Sequence, residues 1–89
     1  MKVTNMTSDR TNREVANQFE IWADDGSVYF QSYRTIIAKK SEGKIYLDKN
    51  KWDYSRTTGK YRNQFLGETK QETEKKIKAG IYELVDLNK

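Results

Sequence analysis

The stretch NQFEIWADDGSVYFQSY, residues 17–33, limits the fold more than any other part of the chain. Phe19, Ile21 and Ala23 alternate with Gln18, Glu20 and Trp22, the period-two pattern of a half-buried strand. Asp25-Gly26 follows, a strong hairpin signal because glycine takes positive φ at no steric cost. Alternation then resumes, with Val28 and Phe30 on one side and Tyr29, Gln31 and Tyr33 on the other. A β-hairpin is expected.

The pattern continues. TIIAKK reads as a third strand, SEG as a turn, and KIYLD as a fourth strand with Ile45 and Leu47 inward and Tyr46 outward. Short connections make these an antiparallel meander. A four-stranded sheet with one apolar face needs a cover. YSRTTGKYRNQFLG supplies a helix, with Tyr54, Thr58, Tyr61 and Phe65 on one stripe. Ser55 or Asp53 suits its N-cap and Gly67 its end. Gly59, inside it, suggests close approach to the sheet. Thr69 and Glu72 fit a capping box for a second helix ending at Gly80, anchored by Ile77 and Ala79. IYELVDL closes the chain as a last strand. The fold class is therefore α+β: an antiparallel sheet of four to five strands with both helices on one face. Residues 1–16 are polar and read as an N-terminal arm, with a short edge strand through Val3 and Met6 as the alternative; residues 17–89 form one domain.

Composition narrows the chemistry. There is no Cys and no His, so thiolate catalysis, disulfides, the usual neutral-pH base and the commonest zinc ligand are all missing. Asp24 and Asp25 sit in a turn, and a cation site would need more oxygen ligands. TTGK and SEGK lack the second glycine and trailing hydroxyl of a phosphate loop. No enzyme, cofactor or metal is expected. With no signal-like or membrane-spanning apolar run, a soluble protein of the host cytoplasm is expected.

The charge is uneven. Formal net charge is +4, and residues 34–62 hold nine basic and three acidic side chains, so an anionic partner would be drawn to the middle third. On a helix, Arg56, Lys60 and Asn63 share a row beside the aromatic stripe, with Arg62 close by; Arg34, Lys49 and Lys51, with Lys39 and Lys40, would extend it if the strand ends lie near. Phosphate oxygens or acidic side chains suit such a row, and so does plain solvation. Tyr29, Tyr33, Tyr46 and Trp22 fall on the outward side of the sheet, where rings can anchor a protein or stack on bases, or be covered as a minor core. Trp52 and Tyr54 are expected in the core at the sheet–helix junction.

FQSY followed by IIA, then WDYS, TT, KY and FL, then ETEKKI, resemble a family of small uncharacterised proteins encoded by phages and plasmids of Gram-positive bacteria, over about residues 17–87. The family carries no established activity, so no residue inherits a role from it. The resemblance implies a mobile-element accessory protein. Together with the residues it leads to a non-enzymatic binder of a host or defence protein, in its sharpest form an anti-CRISPR-like inhibitor of a defence nuclease. The alternative is a small DNA- or RNA-binding regulator. A third option, a structural virion component, would be incorporated into particles and self-associate, and a homo-oligomer is compatible with the others.

Overall fold

In the computed structural model, which describes residues 1–88, six strands and two helices follow in order. These are β1 (Lys2–Thr7), β2 (Glu14–Trp22), β3 (Val28–Ser32), β4 (Thr35–Ser41), β5 (Lys44–Asp48), α1 (Arg56–Leu66), α2 (Lys70–Lys78) and β6 (Tyr82–Val85). All strands join one sheet in sequence order. β1 to β5 run antiparallel, and β6 adds parallel to β5 after the helical crossover. The α+β class holds, with one strand more than expected.

That strand is β1. Residues 1–16 are not an arm: they form β1 and the start of β2, and Met6 is buried in the core. One deeply buried methionine outweighs the polarity around it, because an edge strand needs only one covered face.

The β2–β3 hairpin forms as expected. Gly26 takes φ +91°, Asp25 Oδ1 accepts from the Ser27 amide, and Ala23 and Ser27 close the turn. Ser55 caps α1 by accepting from the Thr58 amide, and Gly67 ends it in the left-handed region with its N–H on the Asn63 carbonyl. Thr69 and Glu72 form the capping box of α2.

α1 lies over β3 and β4, and α2 lies beside β6. Phe30, Ile37, Ala38, Leu47, Tyr61, Phe65, Tyr82 and Met6 make the core, with the Phe30 and Phe65 rings stacked at 5.8 Å. Trp52 packs half-buried against it, as Ile77 does from α2. Tyr54 is exposed, because the helix starts after it and leaves it off the stripe. Ala79 is exposed too, and Thr73 is the buried residue of α2.

Pairing decides which way each strand faces. Gln18, Glu20 and Trp22 lie opposite Ser32, Phe30 and Val28, the side that α1 covers. Phe19 and Ile21 lie opposite Gln31 and Tyr29, on the uncovered side. The phase of β2 is thus the reverse of what its apolar residues suggest. Gln18 is fully buried, and neither atom of its amide has a partner among the described residues. Trp22, expected on the outward side, is on the helix side at an exposed margin.

Candidate functional site

An open groove of about 640 Å³ runs along α1 to the start of α2. Its walls are Asp53, Ser55, Arg56, Gly59, Lys60, Arg62, Asn63 and Lys70. Arg56, Lys60 and Asn63 share one side of α1 through helical spacing, as the sequence predicts. Lys70 arrives from α2 because the short Gly67–Thr69 link brings the second helix back beside the first.

The four cations are not equivalent. Arg56 and Lys60 are exposed. Lys60 Nζ rests 5.4 Å from the Tyr61 ring centroid and Arg56 makes no ion pair among the described residues. Lys70 Nζ is 2.8 Å from Asp53 Oδ2. The bond from Lys70 holds the Asp53 carboxyl below the usual aspartate range, with Arg62 adding to it, and Asp53 in turn raises the Lys70 ammonium.

Arg62 corrects the sequence expectation. It is not a docking cation, since only 1 % of its side chain is exposed. Its Nη1 donates to the Trp52 carbonyl at 2.7 Å and, at 3.4 Å, to Asp53; its Nη2 donates to Asn63 Oδ1. The guanidinium also lies 5.1 Å from the Trp52 ring. Arg62 pins the β5–α1 connection to the helix. The planar fork suits this, because several donors can be placed without reorienting the side chain. Gly59 does not mark a close approach to the sheet. A β-carbon there would stand at ordinary contact distance, 3.6 Å, from the Arg62 guanidinium, so the structure does not require a glycine at this position.

The remaining candidates scatter. Arg34 and Lys51 line a separate cavity of about 230 Å³ with Thr35, Asp48, Asn50, Asp86 and Asn88. Lys51 Nζ sits 4.5 Å from the Tyr54 ring. Lys49 is exposed and lines neither cavity. Lys40 is tied to the C-terminal end of α1 through the Phe65 carbonyl at 2.7 Å, a favourable place for a cation at a helix end. Lys39 stands on the uncovered side between Tyr29 and Tyr46, 5.5 and 5.9 Å from their rings. Tyr29 and Tyr46 are outward as expected, whereas Tyr33 occupies the β3–β4 turn with φ +57°. A single basic surface from Arg34 to Arg62 is therefore not assembled.

Sequence reasoning missed two groups. Lys70 belongs to the groove, and only the return of α2 reveals it. Glu68 is the other. Its side chain is 5 % exposed and accepts from Thr73 Oγ1 (2.6 Å), Lys76 Nζ (2.7 Å) and Tyr82 Oη (2.8 Å). Burial pushes the carboxyl upward, but those three donors and the Lys76 charge outweigh it and hold Glu68 below the usual glutamate range. This network joins the helix link, α2 and β6.

No helix among the described residues is long and apolar enough to cross a membrane. Neither the curated proteins nor the solved structures provide a significant match. One family model does match, that of a family of unknown function, over residues 1–80, and so takes in β1 and the start of β2, which the resemblance at residues 17–87 leaves out. By that match, with its run of sheet and helices contained in one small chain, the protein belongs to the family of unknown function DUF8033.

Proposed function

We propose that this chain is a non-enzymatic binding protein that occupies an acidic surface of another protein through the α1–α2 groove. One observation carries the reading. Arg56 and Lys60 stand exposed on one helix side, in a groove whose single carboxylate, Asp53, is already engaged by Lys70 and Arg62. Such a groove presents free positive charge without an internal partner to satisfy it. Complementary charge steers encounter and fixes orientation.

In its finer form the partner is a host or defence protein and the chain an accessory protein of a phage or plasmid, acting as an inhibitor of a defence nuclease. The resemblance to mobile-element proteins supports that form. The second reading is a DNA- or RNA-binding regulator, favoured by the same groove because phosphates also suit Arg56, Lys60 and Lys70. Lys70 is already paired with Asp53, so Arg56 and Lys60 would release about two counterions and the salt slope of a nucleic-acid complex would be roughly −2.

The test is capture from a Gram-positive host lysate, with and without nuclease treatment, by the natural chain and by Arg56→Glu/Lys60→Glu. Capture that survives nuclease and is lost in the variant supports a protein partner. Capture lost with nuclease favours the second reading. Capture unchanged by the charge reversal refutes the groove as the binding surface.

A further inference from the structure

The helices cover one side of the sheet and leave the other bare, yet the bare side is not polar. Along one cross-strand row the register aligns Val3, Ile21, Tyr29, Lys39, Tyr46 and Glu83, one residue from each strand. Phe19 and Ile36 fall in the next row, joined through Gln31. Val3 is exposed, and Phe19, Ile21, Tyr29, Ile36 and Tyr46 are each only half-buried.

The phase of β2 shows that this face is maintained at a cost. A slip of one residue would bury Phe19 and Ile21 and release Gln18 to water. The chain instead keeps Gln18 inside with its amide unpartnered and leaves the two large apolar side chains outside. At Asn17, within β2 where the pairing with β1 shifts register, φ is +66°, and its carbonyl accepts from the Tyr33 amide, tying β2 to the end of β3. Core packing alone would favour the opposite phase.

We propose that this open face packs against the same face of a second copy of the chain. The row is self-complementary. A twofold axis parallel to the strands and between β3 and β4 reverses its order. Tyr29 then meets Lys39 of the second copy, a cation over a ring, and Ile21 meets Tyr46. Val3 and Glu83 meet at the rim. Aligned face-to-face packing is a standard arrangement for two sheets.

Size and charge agree with this occupant. Six strands about 4.8 Å apart and five residues at about 3.3 Å give a face of roughly 400 Å² in projection, about 800 Å² over the two copies, which is below the standard size and in the range of weak, transient contacts. A reversible dimer follows rather than a permanent one. Single-stranded nucleic acid fits less well. Lys39 is the one cation in the row, Glu83 stands at its end, and nucleic-acid affinity depends on several phosphate contacts. The inference is independent of the groove. In such a dimer both sets of helices lie on the outer layers, so each copy's groove stays open.

Sedimentation across a concentration series tests the dimer. The expected result is a rise from 10.5 kDa toward twice that mass. Tyr46→Glu should stay monomeric over the same range with an unchanged circular dichroism spectrum, while Lys60→Glu should dimerise like the natural chain. The natural chain has no Cys, so single-cysteine variants report the register directly. A short bis-maleimide should join Ile21→Cys to Tyr46→Cys several-fold more efficiently than either variant to itself. A monomer at every concentration overturns the proposal. So does a dimer that Tyr46→Glu leaves intact, a cross-link pattern favouring self-pairs, or association that appears only with added oligonucleotide.

Discussion

Glu68 and Gln18 are both long polar side chains on the helix side of the sheet, and both are almost wholly buried. Their surroundings are opposite. Glu68 accepts from three side chains and holds the helix link, α2 and β6 together. Gln18 sits opposite Ser32 with no partner for either amide atom among the described residues, while Ser32 spends its hydroxyl on Thr58 at 2.9 Å. One burial is a device for holding the fold; the other is the consequence of where β2 puts Phe19 and Ile21. A buried polar group is informative in both cases, for stability in the first and for the opposite face of the strand in the second.

Arg62 sets the upper bound for this comparison. Arg62→Ala should destabilise the chain by about 3 kcal/mol, since it strands the Trp52 carbonyl and opens a gap beside the ring. Urea denaturation measures it; a loss below about 1 kcal/mol would mean that the buried guanidinium holds little.

Glu68→Gln should cost about 2 kcal/mol, because an amide cannot accept from all three donors. The sign of its pH dependence is fixed. The folded carboxyl titrates below the unfolded one, so its contribution is complete above the unfolded value of about 4.3 and is lost as pH falls through the folded value. The natural chain should lose stability in acid more steeply than the variant, read from melting temperatures over that range. Parallel acid limbs would break the contrast with Gln18.

Gln18→Leu should act in the other direction, gaining about 1 kcal/mol by removing the unpartnered amide at similar volume. A loss on denaturation would show that the amide is satisfied in solution and would remove the cost argued for β2. The smallest effect is Gly59→Ala, a gain of up to about 1 kcal/mol from helix propensity. Its β-carbon would stand at ordinary contact distance from Arg62. A loss instead would mean that Arg62 needs the space.

The hairpin and the capped helices were legible in residues 17–33, 55–67 and 69–80, because turn chemistry and capping act within a few residues. β1 was legible only as the alternative to an arm, since Met6 alone marks its buried side. Of the groove, Arg56 and Lys60 could be placed from helical spacing, but Lys70 enters through the path of α2. Arg62 lies two positions beyond Lys60, and the sequence treats both as free cations. The Trp52 carbonyl and ring, reached only when the β5–α1 connection folds back, separate them.

Local order was therefore set by the chain itself: alternation, an Asp-Gly turn, and hydroxyl caps each draw on neighbours in sequence. Which side of β2 is covered, and which cations remain available, was decided by tertiary structure. Alternation divides a strand into two sides without ranking them. The ranking came from α1, packed over β3 some thirty residues further along the chain, and from a register that placed Phe30 opposite Glu20.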